Sequence, residues 1–519
     1  MYKLNPFGNP DGARADIKEI NEMFITSTPY AVDFSVMPEE LLNKRVIIGA
    51  KGSGKTVYLR KIQALLREKT EEHKTGIYVD DDIEQNLNCT EKVIGFCDYF
   101  SENVLSEKWS QLWKISLLIT LALKYIKDPQ LIEYASDEER NELTATLREQ
   151  QMLFKKPIAT YAIFSALLQH INSRHDANDR ISNTAWIDFE ETLKGILRKS
   201  PVIYVFLDSI DYEYEHAPMH WTMCQKGLFY AVMSMLQDKV WGERYHVIMS
   251  MRNNVFAAVL RSEHTTKFCE ESHIFCLDWT YSNIKYFIAE KVKKLPDCYF
   301  LLENHEDKSV NSWLGIDSII DHEEESVIDY IARHTRFVPR DVIILCNKLA
   351  VMHRLVTNDR SINIVETIRE IVKERSRVFG DELLTICAKN INANQIPNGA
   401  GRYEYSEGFT ASNAYQEGSF HLLKKVMQSN ATVKITYNQL MELQRQVDQV
   451  FKTESYIADI LWQNCAIGYV DKQGIARFHT QLGDVDQLLP KKKDAYIFRT
   501  CIIDALGIED PSTMHEKLM

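Results

Sequence analysis

The chain has 519 residues, of which 45% are hydrophobic and 26% charged, with a formal net charge of −12. That length accommodates two or three domains with cores of their own, and the acidic balance excludes a molecule-wide nucleic-acid surface, leaving at most a local basic patch. The ten cysteines are scattered without a C-x-x-C pair and read as reduced thiols; no signal peptide or bilayer-length apolar stretch is visible, so the sequence predicts a cytoplasmic protein.

Residues 1–40 carry turn signals at Asn5-Pro6, Asn9-Pro10-Asp11-Gly12 and Thr28-Pro29 around a short helix over 13–24. They predict a packing arm, with Tyr30 or Phe34 stacking on a base as the alternative. Next, Val46-Ile47-Ile48 runs into Gly49-Ala50-Lys51-Gly52-Ser53-Gly54-Lys55-Thr56, followed by an amphipathic stretch over 57–66. Strand, glycine-rich loop and helix in this order form a phosphate loop. Gly49 and Gly54 let the backbone approach phosphate oxygens closely, and Lys51, Gly52 and Ser53 between them complete the expected nucleotide-binding loop. The helix start aims its positive dipole end at the same anion. In such a loop Lys55 reaches the β- and γ-phosphates and Thr56 ligates Mg²⁺.

A second strand is predicted over 75–80, trailed by Asp80, Asp81, Asp82 and Glu84 as a solvated loop or as metal ligands. From about 96 to 197 apolar residues recur at three- and four-residue spacing, predicting an all-helical insertion. Then Val202-Ile203-Tyr204-Val205-Phe206-Leu207 ends in Asp208, a buried parallel strand tipped by a carboxylate. Beside a phosphate loop, Asp208 is the expected Mg²⁺-holding acid. Asp211 is the first candidate to orient or deprotonate water, with Glu213 and Glu215 behind it. His216, His220 and Cys224 are spaced by four, as in a metal-ligand row, but Pro218 would start a helix between them and no fourth ligand is evident. Residues 244–252 read as a fourth strand ending at Arg252, a nucleotide sensor or a helix cap, with Arg261 a candidate arginine finger beyond it. Residues 273–277 make a fifth strand and 282–293 a helix, so one strand is expected between the two nucleotide-site strands.

Residues 296–390 are predicted to be largely helical, a lid in which Pro339 opens a helix and Arg340 either senses the γ-phosphate or pairs with Asp341. A turn-rich stretch at 391–418 reads as a linker. Helices over 419–427, 436–451 and 454–463, a hairpin over 466–479 and a helix over 495–506 follow in winged-helix order. Asn347-Lys348-Leu349-Ala350 lacks the Asp of a guanine-reading N-K-x-D, and no L-S-G-G-Q or helicase D-E-x-D/H box is present.

The ordered set G-A-K-G-S-G-K-T, V-F-L-D-S-I-D, M-S-M-R and T-R-F-V-P-R-D, with the winged-helix-like tail, resembles bacterial P-loop ATPases of the AAA/STAND-like class found in antiviral-defence and mobile-element neighbourhoods. Their plan is also similar to that of origin-recognition ATPases. The resemblance implies an α/β fold: an ASCE/AAA-like core at 41–295 with a five-stranded, mainly parallel sheet and the insertion at about 96–197, then the lid and a winged-helix-like domain at 419–510. It implies ATP and Mg²⁺ as cofactors, Lys55, Thr56 and Asp208 as their ligands, Asp211 as catalytic acid, and Arg252 and Arg340 as sensors. The activity implied is slow or partner-stimulated ATP hydrolysis that switches a protein effector in antiviral defence, in a homo-oligomer and away from membranes. Ser209 follows Asp208 where AAA enzymes carry Glu, so the D-x-x-D spacing is closer to STAND-type switches. Two other readings stay open. One is DNA binding through Lys424-Lys425, Lys472, Arg477 and Lys491-Lys492-Lys493, which Asp471, Asp484, Asp486 and Asp494 interrupt. The other is a scaffold that binds ATP without cleaving it.

Overall fold

The computed structural model describes residues 5–25, 43–73, 76–84, 89–155, 159–208, 217–260, 272–301, 307–320, 324–358, 362–392, 417–451, 456–479, 489–491, 493–508 and 517–518. The chain divides into two compact units: a core unit of Ser35–Gly49 and Lys55–Cys276, and a second unit of Met1–Phe34, Ala50–Gly54 and Leu277–Met519. No helix among the described residues is long and apolar enough to cross a membrane.

In the core unit five strands form one sheet: β1 (Val46–Ile48), β2 (Ile77–Glu84), β3 (Val202–Leu207), β4 (Tyr245–Met251) and β5 (Ile274–Cys276). Their order is β2-β3-β4-β1-β5, and every neighbouring pair is parallel rather than mainly so. One strand, β4, therefore separates β1 from β3, as the sequence predicts. Strands covered on both faces need continuous apolar runs, and β1 is buried at all three residues. Parallel neighbours also need long crossovers. Helix α1 (Lys55–His73) lies in the first; the described residues of the second hold six α-helices, among them α2 (Glu102–Lys127) and α3 (Thr160–Gln169). Helix α4 (Pro218–Gln237) lies in the third.

The helical stretch carries its own aromatic core. Trp109 and Trp113 are fully buried, and Trp113 stacks on Phe164 with ring centroids 3.6 Å apart. Truncating such rings typically costs about 3–5 kcal/mol. Helix α4 lies against α2 at Gly227, where a Cβ would come within 2.2 Å of the Trp109 Cβ. The acid run after the second strand departs from expectation. It continues β2 through Glu84, across a register shift between Val79 and Ile83. Burial decides this: Asp80 pairs with Lys124 at 2.8 Å, and its carbonyl accepts from Gln63 at 2.7 Å.

The second unit contains α5 (Tyr281–Lys293), α6 (Pro339–Asn358), α7 (Ile364–Asn392), α8 (Glu417–Asn430), α9 (Tyr437–Phe451), α10 (Ile457–Gln463) and α11 (Thr500–Leu506). Pro339 is the first residue of α6, where a missing N–H costs nothing. Two strands unforeseen in the sequence, β6 (Ser318–Ile320) and β7 (Glu324–Ser326), pair antiparallel. A second sheet has the order β12-β10-β9-β11-β8, from β8 (Lys434–Ile435), β9 (Ile467–Val470), β10 (Ile475–Phe478), β11 (Tyr496–Phe498) and β12 (Lys517–Leu518). The hairpin β9–β10 is antiparallel, as expected, and Gly474 turns it at φ +76°. The helix predicted from 495 begins instead as β11, because Tyr496, Ile497 and Phe498 are all buried against β9 and β8. Arg499 follows, 4% exposed, with its guanidinium 4.1 Å from the Phe337 ring and 4.4 Å from the Phe478 ring.

The N-terminal arm packs into this unit. Phe7 is fully buried. Asn347 on α6 accepts from the Phe7 amide and donates to the Gly8 carbonyl, both at 3.0 Å. Lys291 on α5 donates to the Met23 carbonyl at 2.8 Å, capping the helix Ile17–Met23. Burial, reinforced by Lys294 and opposed by Glu19 and Cys346, brings the Lys291 ammonium down from 10.5 to about 7. Between those values the unfolded chain holds more protons at this site than the folded one, so stability rises with pH there. Wild-type protein should therefore gain stability over a Lys291→Met variant from pH 7 towards pH 9.5, by roughly 1 kcal/mol per pH unit. Urea midpoints at the two pH values, moving in parallel for both proteins, would refute this.

Candidate functional site

The loop after β1 takes the backbone shape its glycines allow. Gly52 has φ +87° and Gly54 φ +99°. Nothing lies within 4 Å of where a Gly54 Cβ would stand, so the left-handed backbone rather than crowding demands glycine there. In the core unit the Gly49 amide donates to the Met251 carbonyl at 3.2 Å. Lys55 opens α1, is 4% exposed, and crosses back so that Nζ donates to the Gly49 carbonyl at 3.2 Å.

Thr56 and Asp208 meet. The Thr56 hydroxyl donates to Asp208 Oδ2, and the Ser250 hydroxyl, from β4, donates to Oδ1, each at 2.5 Å. The Asp208 main-chain carbonyl accepts from the hydroxyl of Tyr161 on α3. Asp208 is 4% exposed, so three hydroxyls converge on one buried acid at the carboxyl edge of the parallel sheet. Arg252 follows β4, is buried, and its carbonyl accepts the Phe256 amide at 3.1 Å to start the helix Asn253–Leu260.

Residues 50–54 count with the second unit and are held there at three points. Trp279 Nε1 donates to the Ser53 carbonyl at 2.9 Å. The Arg340 amide donates to the Gly52 carbonyl at 3.3 Å, and a Gly52 Cβ would stand 3.2 Å from the Arg340 Cβ. Lys51 Nζ lies 3.3 Å from Glu382 Oε1, and Glu382 also meets Arg336 at 3.0 Å. Burial alone would push the Glu382 carboxyl up, but Arg336 and Lys51 hold it below its ordinary value. Asp341 is fully buried, and its partner is Arg336 (2.7 Å), not Arg340.

Within each unit the side chains present can be tested against the phosphate and the metal that the sequence leads one to expect. Ser53 Oγ is buried with no hydrogen-bond partner among the described residues, an orphan of the kind a phosphate oxygen satisfies. Among the described residues no three His, Cys, Asp or Glu side chains converge into a metal cage. Mg²⁺ is commonly held by one or two protein oxygens together with phosphates and waters, and the Thr56–Asp208 pair supplies such oxygens.

Asp211, Glu213, Glu215, His216 and Arg261 lie outside the described residues, as do Tyr30 and Phe34. His220 and Cys224 are on α4, which Pro218 opens. Burial keeps that imidazole below its ordinary value and that thiol well above its own, which opposes imidazolium and thiolate alike. Sequence reasoning missed Ser250 and Tyr161. A hydroxyl inside the apolar run Val247-Ile248-Met249-Ser250-Met251 is a legible signal for the first; nothing local marks the second. No family model matches the chain, and neither does any curated protein.

Proposed function

We propose that the chain binds ATP with Mg²⁺ at residues 49–56 and hydrolyses it slowly, as a switch of the AAA/STAND-like class on an ASCE-type P-loop core. The observation that carries this reading is the meeting of Thr56 and Asp208. A hydroxyl from the first turn of α1 and a carboxylate from the tip of β3 share a hydrogen bond at the sheet edge where ligands of parallel α/β sheets bind. On this reading Lys55 holds the β- and γ-phosphates, Thr56 and Asp208 hold the metal, and Asp211 orients the attacking water. Bound Mg²⁺ supplies positive charge that offsets the charge building on the phosphate oxygens. Arg252 and Arg340 respond to the γ-phosphate.

The tail (α8–α10 with β8–β11) is proposed as a winged-helix-like contact for a protein effector rather than for DNA. Several of its basic groups are already engaged within the chain: Lys424 with Asp381 at 2.7 Å, Arg477 with Asp471 at 3.0 Å, and Lys493 over the Tyr469 ring at 4.5 Å.

Phosphate release and nucleotide binding by the purified protein, beside Lys55→Ala and Asp211→Ala variants, test the reading. Lys55→Ala should lose both. Asp211→Ala should still bind ATP while turnover falls about 10²-fold, within the range seen when one catalytic group is removed. Binding and turnover both intact in Lys55→Ala would sink the reading.

A further inference from the structure

Tyr161 belongs to the helical stretch between β2 and β3, more than a hundred residues along the chain from the phosphate loop. It is 2% exposed, and its hydroxyl donates to the main-chain carbonyl of Asp208. The pairings of β3 end at Leu207, opposite Glu84 of β2 and Met249 of β4. The Asp208 carbonyl thus lies past the strand ladder, and the phenol supplies the donor that a neighbouring strand would otherwise give. Within one residue, the two carboxylate oxygens answer to Thr56 and Ser250 and the carbonyl answers to Tyr161.

We infer that Tyr161 is a positioning residue through which the helical insertion sets the nucleotide site; the inference rests on the proposed ATP-binding function. The phenol cannot drift on its own. Its ring meets Trp113 edge-on at 5.8 Å, Trp113 stacks on Phe164 one turn further along α3, and Trp113 Nε1 donates to the Cys224 carbonyl of α4 at 2.9 Å. Helices α2, α3 and α4 are therefore locked around it. A shift of α3 carries the hydroxyl with it and rotates the Asp208 peptide plane. That rotation changes the carboxylate's aim at Thr56. Whatever engages the insertion can in this way alter metal affinity and turnover without touching nucleotide.

Tyr161→Phe keeps the ring and removes only the hydroxyl. The experiment measures binding of a fluorescent ATP analogue with and without Mg²⁺, phosphate release across a Mg²⁺ titration, and the thermal midpoint. The expected result is analogue affinity without Mg²⁺ within about twofold of wild type, a half-saturating Mg²⁺ concentration raised about tenfold and kcat lowered about tenfold. That scale is typical when a group orienting a metal ligand is lost. A Tyr161→Leu variant, which also removes the ring, should lower the thermal midpoint much more than Tyr161→Phe does. If Tyr161→Phe reproduced the wild-type Mg²⁺ dependence and kcat while still binding the analogue, the positioning role would be refuted. Losses that follow the fall in midpoint across the two variants would refute it too, as mere packing. Wild-type protein binding the analogue no better than Lys55→Ala would instead overturn the ATP-binding reading itself.

Discussion

An Asp208→Ala variant is expected to lose phosphate release by at least about 10²-fold while retaining most of its metal-free affinity for ATP. The reason lies in what Asp208 joins. Its carboxylate binds the hydroxyls of Thr56 and Ser250, and the residue is 4% exposed. The substitution removes the acid of the proposed metal pair and takes one acceptor from the buried Ser250 hydroxyl and from the half-buried Thr56 hydroxyl, at about 1–3 kcal/mol where solvent cannot replace it. Asp208→Asn separates the two effects. It keeps the volume and one acceptor oxygen but not the charge, so it should preserve the fold better than Asp208→Ala and still fail to restore turnover. Phosphate release across a Mg²⁺ titration, with urea midpoints for both variants, makes the comparison. Wild-type turnover in Asp208→Asn would show that the negative charge has no part in the chemistry.

The largest expected effect on stability is at Gly380, in the middle of α7. A Cβ there would stand 1.9 Å from the Cys501 carbonyl oxygen and 2.7 Å from the Ala505 Cβ, both on α11. The first obstacle is backbone, which cannot turn aside as a flexible side chain can. Helices α7 and α11 must separate, exposing Cys501 and Ile502, which are fully buried. Gly380→Ala should therefore cost about 3 kcal/mol or more, at or beyond the upper end for overpacking, despite the gain in helix propensity of about 1 kcal/mol. Urea unfolding with a fully active wild-type control reads it directly. An unchanged midpoint would mean that the two helices do not approach as closely as described.

What could be read from the sequence was what neighbouring residues declare about themselves. The run Val46-Ile47-Ile48 into glycines at fixed spacing, and the apolar run into Asp208, are local patterns with local causes, and of the strand order only the one strand between them was expected. The failures have a common origin in contacts between distant residues. Asp80 looks like the start of a solvated loop until Lys124 and Gln63 are placed beside it. Tyr496-Ile497-Phe498 looks like the head of a helix until β9 and β8 offer it a ladder. Tyr161 is one aromatic residue among 24 tyrosines, and only folding identifies it as the one whose hydroxyl reaches Asp208. Arg340 shows the mixed case. Its helix start was legible from Pro339, but the buried salt bridge to Asp341 belongs to Arg336, four residues earlier.

Arg499 bears on how this architecture can evolve. Its guanidinium is clasped between Phe337, beside the head of α6, and Phe478, on the tail hairpin, and it donates to the Cys465 carbonyl at 2.8 Å. Its buried Nη1 has no hydrogen-bond partner among the described residues, so the two ring faces carry much of what stabilises the charge there. The tail is therefore no exchangeable cassette. A foreign module recombined onto α7 would strand Phe337 and confront Gly380 with an unfamiliar helix. Lineages carrying this plan should inherit the α6–α7 region and the tail together, and vary the outer surface of the tail rather than replace it.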